Sequence, residues 1–248
     1  MGNMKPIIII PVRLKSTRLP EKPLQDICGK PMIQHVWEQA VSAQLGPVVV
    51  ACDSEPVKSI IQNLGGTAVM TDPDLPSGSD RIYAALKSFD SDHQFNTIIN
   101  LQGDLPNFPP KLLKETLPPL EDSTVDIVTM ATEIKSTEER DNPNVVKVVL
   151  ARNIDHRSER ALYFSRHPIP SGPGPHYHHV GIYTYRRTAL ERFIKLAPSP
   201  LEIQERLEQL RALEAGMRID AILIDQAPWG VDTPEDLERM RTLLKASN

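Results

Sequence analysis

The 248-residue sequence predicts an α/β protein whose sheet is mostly parallel. Three observations carry that expectation. Short apolar runs recur through the first half, helical patterns separate them, and the first run, PIIIIPV (6–12), has no polar face. Strand–helix alternation is what crossover connections between parallel strands require. A strand apolar at every position belongs in a sheet interior, covered on both faces.

The later runs are PVVVAC (47–52), TAVM (67–70), NTIINL (96–101) and VDIVTMA (125–131). Between them PMIQHVWEQAVSAQ, EPVKSIIQNLG and SDRIYAALKSF carry apolar residues at helical spacing, and Gly65 with Gly66 supplies a helix C-cap and turn. After about residue 140 the rhythm changes. NVVKVVLA predicts a strand, and ALYFSRHPIPSGPGPHYHHVGIYTYR predicts two β segments around a Pro/Gly-rich loop. TALERFIKLA and PLEIQERLEQLRALEAG each read as one helix, IDAILID as a strand, and TPEDLERM as the start of a closing helix. With no linker, repeat or low-complexity tract, the expectation is a single domain over 1–248 with an inserted β-rich lobe around 140–200.

The 28 basic and 32 acidic side chains leave a net charge of −4 and a pI near 6.0, which excludes a general nucleic-acid or membrane-surface binder. Cys28 and Cys52 fit no C-x-x-C or zinc spacing. No run reaches the length of a membrane span, and the N-terminal run is too short for a signal segment. A cytoplasmic protein is expected, with neither nucleic acid nor membrane as partner.

Ligands of open parallel sheets bind beyond the carboxyl ends of the strands. Behind the first strand lies RLKSTRLPEKPL (13–24), with Arg13, Lys15, Arg18 and Lys22 on one loop; with Lys30, Glu21 and Asp26 the segment is +3 inside an acidic chain. Like charges so close repel unless an anion or water intervenes. There is no G-x-x-x-x-G-K-[ST] or G-x-G-x-x-G, so side-chain cations with Ser16 and Thr17 would replace backbone amides as phosphate ligands. A solvated basic loop is the bland alternative.

NTIINL runs into QGDLP, which puts Gln102 and Asp104 at a strand end, and WGVDTPEDLERM repeats the situation at Asp232. Each aspartate has two readings: a ligand for Mg²⁺ beside phosphates, or an Asx-turn or helix cap. In PSGSDR (76–81), Ser77 and Gly78 open a helix and offer small side chains and amides, or merely cap it. His176, His178 and His179 lack zinc-ligand spacing.

Taken together, these segments resemble the 3-deoxy-D-manno-octulosonate (Kdo) cytidylyltransferase family. IIPVRLKSTRLPEKPLQDICGKPMI is similar to its N-terminal nucleotide signature, and SGSDR, LQGD, NPNVVKVVL, ALYFSR, HVGIYTYR, PSPLE, LEQLR and GVDTPEDLE follow its later blocks in order. The resemblance implies a glycosyltransferase-A-like fold with helices on both faces of the sheet, a homodimer, and transfer of CMP from CTP to Kdo with Mg²⁺, activating Kdo for lipopolysaccharide biosynthesis. It implies that Arg13, Ser16, Arg18 and Lys22 contact CTP, with Ser77, Gly78 and Arg81 near base and ribose, and Gln102 beside them. Asp104 and Asp232 take the metal; Arg166, His179, Tyr183, Glu208 and Gln209 line the sugar-acid pocket. Two departures stand out. Leu105 replaces the family's usual acidic residue after the QGD aspartate, and SGPGPHYH differs from the usual loop. A cytidylyltransferase for another keto-acid sugar, such as sialic acid, and a non-catalytic nucleotide-sugar binder are the rival readings.

Overall fold

The structure, a computed structural model, describes residues 4–151 and 158–246, which fall into two compact units. One comprises residues 4–114 and 228–246, the other Glu115–Ala227. The chain is α/β, with parallel strands dominating the first unit and antiparallel pairs the second. The segment expected to form an inserted lobe, 140–200, falls inside Glu115–Ala227.

The first unit follows the predicted alternation: β1 (Pro6–Pro11), the two-residue strands β2 (Asp26–Ile27) and β3 (Lys30–Pro31), α1 (Met32–Ser42), β4 (Val48–Cys52), α2 (Glu55–Asn63), β5 (Thr67–Met70), α3 (Gly78–Phe89), β6 (Thr97–Asn100) and α4 (Lys111–Glu115). Its main strands lie in the order β5-β4-β1-β6, all parallel, with Ile8 opposite Val48 and Ile99. Ile7, Ile8, Ile9 and Ile10 are wholly buried, as a central strand demands. The closing helix, Pro234–Ala246, packs over the β2–β3 hairpin: Leu237, Met240 and Val231 share a buried cluster with Leu19, Ile27 and Met32. Leu19 is the apolar anchor inside the basic loop. Burying a leucine stabilises by roughly 1.5–3 kcal/mol, enough to hold the loop against this helix.

The second unit contains β7 (Ile127–Glu133), α5 (Thr137–Asp141), β8 (Lys147–Ala151), β9 (Ser158–Ser165), β10 (Tyr177–Arg186), α6 (Arg187–Ile194), α7 (Pro200–Glu205), α8 (Gln209–Glu214) and β11 (Ile219–Leu223); the helix Pro234–Ala246 is then α9. The strands run β10-β7-β11-β9-β8, and β8 also pairs with β10 through His178 and Lys147, so the five close on themselves. Only β7 and β11 are parallel among these pairs.

Two local departures from sequence expectation matter. PLEIQERLEQLRALEAG is two helices, because Arg206 turns left-handed at φ 56° and Leu207 N–H closes back on the Glu202 carbonyl. The freed carbonyls of Glu205 and Arg206 accept from the Arg166 guanidinium, at 3.1 and 3.3 Å. A cation at a helix C-terminus is electrostatically favourable. In β10 a bulge sets three residues, 181–183, opposite the single Thr129 of β7. A bulge bends its strand and re-aims side chains.

Candidate active site

At the carboxyl ends of β1 and β6 the first unit opens a cavity of about 800 Å³. Its walls are the basic loop, the start of α3, the β6 turn and the residue before Thr233. Arg13, Ser16, Arg18, Lys22, Ser77, Gly78, Arg81, Gln102, Asp104 and Asp232 all line it, so ten of the residues singled out in the sequence share one space. Gly103 explains how the β6 turn comes so near β1: a Cβ there would stand 3.0 Å from both the Pro11 carbonyl and Val12.

Asp104 and Asp232, 128 positions apart in the sequence, converge. Lys22 Nζ donates to Asp104 Oδ2 at 2.9 Å and to Asp232 Oδ1 at 3.0 Å, while Arg18 reaches Asp232 Oδ2 at 3.2 Å. The Val231 N–H donates to the Asp104 carbonyl at 2.9 Å, tying the two segments together. The capping alternatives are decided by the same geometry. Thr233 Oγ1 accepts from Asp236 N–H, and the Asp236 carboxylate accepts from the N–H groups of Asp232 and Thr233, so α9 is capped without the Asp232 side chain. Asp104 likewise points its carboxylate at Lys22 rather than into its own turn.

The ionisation follows. Burial draws the Lys22 pKa down, but attraction and hydrogen bonds from Asp104 and then Asp232 outweigh it, and the net shift is upward. Burial raises Asp232, and Lys22 and Arg18 more than reverse it, so its carboxyl sits below the ordinary range. The repulsion expected of four loop cations is therefore half relieved from within. Arg13 and Lys15 have no ion pair among the described residues.

Ser77 caps α3, accepting from Asp80 N–H at 3.1 Å and donating to the Asp80 carboxylate. Helix N-terminal amides next to a cationic loop suit phosphate. Arg81 lines the cavity but is 3% exposed, donating to Thr71 Oγ1 and standing 3.5 Å from Asp53. Asp53 in turn accepts from Leu14 N–H at 2.8 Å, which pins the start of the basic loop to the end of β4. Sequence reading missed Asp53. Its signal was an aspartate directly after an apolar strand, close to the pattern of Asp104, which follows β6 within four residues. Gln102 donates to Asn100 Oδ1 at 3.2 Å. Leu105, noted above as a departure from the resemblance, is buried beside Gly230 and brings no charge to the turn.

The residues assigned to the sugar acid lie in the second unit. His179 and Tyr183 lie with ring centroids 5.5 Å apart and planes tilted by 50°, Phe164 meets His179 edge-on at 4.8 Å, and Tyr185 continues the row. Burial, and secondarily His178, depresses the His179 pKa to about 3, so the ring is neutral. Burial, then Tyr185 and Glu208, pushes the Tyr183 phenol well up. Gln209 is buried at the start of α8. Arg166 stands apart, donating from Nε to Glu205 O, from one Nη to Pro143 O and from the other to Arg206 O. Of its five N–H groups, one on each Nη has no acceptor among the described residues. Near it Lys147 is wholly buried, donating to the carbonyls of Asn142 and Val145; burial lowers its pKa and Arg166 adds to that.

The cytidylyltransferase family model matches residues 7–219. A 3-deoxy-manno-octulosonate cytidylyltransferase of Paramagnetospirillum magneticum is 55% identical over 246 residues, 99% of this chain and 100% of the relative. Its counterpart in Methylobacterium nodulans is 54% identical, covering 97% of each chain. Among solved structures, a CMP:2-keto-3-deoxy-manno-octonic acid synthetase complexed with CTP superposes with a TM-score of 0.90 at 40% identity, over 98% of this chain and 100% of that one. A cytidylyltransferase from Leptospira borgpetersenii, at 16% identity and a TM-score of 0.64 over 98% of this chain and 88% of that one, speaks for the α/β fold alone.

Proposed function

The chain belongs to the 3-deoxy-manno-octulosonate cytidylyltransferase family, and on that premise we propose that it transfers CMP from CTP to the anomeric hydroxyl of Kdo, releasing pyrophosphate. The observation that carries this reading is the convergence of Arg18, Lys22, Asp104 and Asp232 in one cavity at the sheet's carboxyl end. The anomeric oxygen attacks the α-phosphorus as the bond to the β-phosphate oxygen breaks, and the hydroxyl proton is released. Charge accumulates on phosphate oxygens, so binding and electrostatics carry the rate. Arg13 and Lys15 bring cations not held by carboxylates; Arg18 and Lys22 exchange carboxylate partners for phosphate oxygens. The amides at Ser77 and Gly78 face the nucleotide, and Arg81 acts mainly through Asp53 on the loop.

Mg²⁺ fits this donor set. Two carboxylates already enclose one positive charge, and Mg²⁺ prefers one or two carboxylates plus phosphate oxygens. Asp104 and Asp232 would hold it; when bound it supplies charge neutralisation at the reacting phosphates. In the second unit the free N–H on each Nη of Arg166 matches a carboxylate bidentately, with His179, Tyr183, Glu208 and Gln209 addressing the sugar hydroxyls.

The glycosyltransferase-A-like architecture with an inserted lobe belongs to the same proposal, supported by four parallel strands in one unit and five closed strands in the other. So do homodimerisation, a cytoplasmic setting and service to lipopolysaccharide biosynthesis. The exposed Leu162 and Ile203 of the second unit support a self-contact, which sedimentation tests. No described helix is long and apolar enough to cross a membrane. The decisive assay gives purified protein CTP and Mg²⁺ with Kdo or sialic acid and measures pyrophosphate: release with Kdo is expected, and none with Kdo overturns the assignment.

A further inference from the structure

Thr129 is fully buried in β7, directly opposite the bulge of β10, and its hydroxyl has three neighbours. Oγ1 lies 3.0 Å from the Val180 carbonyl, 2.8 Å from the Ile182 carbonyl and 2.9 Å from His179 Nε2. A hydroxyl has one hydrogen and two lone pairs. Carbonyl oxygens only accept, so that hydrogen must be directed at them; aimed at the ring instead, it would leave two oxygen–oxygen contacts without a proton in either. His179 must then be the donor, from Nε2–H to Oγ1. A neutral imidazole carries one N–H, so Nδ1 is left a bare acceptor. Among the described residues no protein donor reaches it, although the ring is only 6% exposed.

The bulge gives this acceptor its setting. In a flat strand residues four apart are about 13 Å from one another, yet the His179 and Tyr183 rings are 5.5 Å apart. Thr129 ties together the carbonyls of Val180 and Ile182, the bend that brings them so close.

We propose that Thr129 is a positioning residue which locks the bulge of β10 and fixes His179 as the Nε2–H tautomer, so that Nδ1 accepts a hydrogen bond from a hydroxyl of the sugar substrate. The tautomer assignment stands on geometry alone. Its assignment to a sugar hydroxyl rests on the functional reading above. Neither the position nor the chemistry was read from the sequence, where Thr129 is only a polar interruption of an apolar run.

The test uses ¹⁵N-labelled full-length protein and long-range proton–nitrogen correlation of the histidine rings, with His179→Gln to assign the signal. A neutral Nε2–H pattern for His179 is expected, and an Nδ1–H pattern overturns the proposal without any variant. Thr129→Val is expected to mix the tautomers and to raise KM for Kdo about tenfold, the scale of one lost hydrogen bond, with the CTP dissociation constant unchanged. Thr129→Ser keeps the hydroxyl and is expected to keep both signatures. A Thr129→Val protein with wild-type spectrum and wild-type KM for Kdo sinks the positioning role. Should Thr129→Val not fold, the wild-type spectrum and Thr129→Ser decide. An Nε2–H ring in a protein that releases no pyrophosphate with Kdo faults the functional reading while upholding the tautomer.

Discussion

In the cavity of the first unit, Arg18, Lys22, Asp104 and Asp232 are partly exposed ions that hold one another, whereas in the second unit Thr129 and His179 are neutral, buried and fixed by hydrogen bonds. On the function proposed, the two regions face different chemistry. A triphosphate carries several charges, and groups that meet it must be able to change partners, which the half-exposed Arg18–Asp232 pair does at little cost because an exposed pair is worth at most about 1 kcal/mol in water. A sugar hydroxyl is neutral and differs from its neighbours only in position. An acceptor that reads it gains from rigidity, and burial with a satisfied hydrogen bond supplies that.

The comparison breaks most visibly at the carboxylates. Asp104→Asn and Asp232→Asn are each expected to cut pyrophosphate release about a hundredfold or more while leaving the melting temperature nearly unchanged, since the amide keeps the shape but not the charge. Capping of α9 by Thr233 and Asp236 makes the second half of that expectation sharp. Near-normal turnover in both variants would remove the cavity from the mechanism.

Arg166→Met is next. Losing charged hydrogen bonds costs about 1.5–3 kcal/mol, so KM for Kdo should rise some ten- to a hundredfold with CTP binding intact. Equal losses toward both substrates would make Arg166 a clamp for the α7–α8 break and nothing more.

Acid separates the two regions more finely. The His179 pKa is depressed from 6.5 to about 3, so between those values the unfolded chain binds the extra proton, and stability falls as pH falls, by up to about 1.4 kcal/mol per pH unit. His178 acts in the same direction, because burial outweighs the raising effect of Glu139. Asp232 has its pKa lowered; its contribution is present above the ordinary carboxylate value and goes only as pH drops through the depressed one. From pH 7 to 5 the second unit should therefore weaken while the cavity ions persist. Urea denaturation of His179→Gln should show a flatter slope than wild type, and identical slopes would contradict the buried neutral ring.

The smallest effect belongs to Arg18→Ala. Its pair with Asp232 is about half exposed on both sides, so calorimetry should find less than about 1 kcal/mol of lost stability. A larger drop would mean that the loop is held by charge rather than by Leu19.

Much of this was legible in the sequence. Four β-branched isoleucines in a row between prolines predict a covered strand, and Asp104, with its glycine and proline neighbours, marks a strand-end turn. Asp232 was visible as a site but not as the partner of Arg18 and Lys22, because 210 positions separate it from Lys22 and only the packing of Leu19 under α9 joins them. The left-handed Arg206 was hidden, since neither glycine nor proline announces it. Thr129 opposite the bulge was hidden for a related reason: a register shift belongs to two strands and appears in neither alone.

That register shift makes the length of the HVGIY segment a matter of parity. Three residues of β10 stand where one would suffice, so the segment has a surplus of two. Removing two restores a plain ladder and leaves every other side chain on its present face, though it pulls the aromatic pair out of its bend. Removing one sends every residue on one side of the cut to the opposite face of the strand. Insertions and deletions in this stretch should therefore be tolerated in twos and rejected singly, a constraint on chain length that no single substitution at 181–183 would reveal.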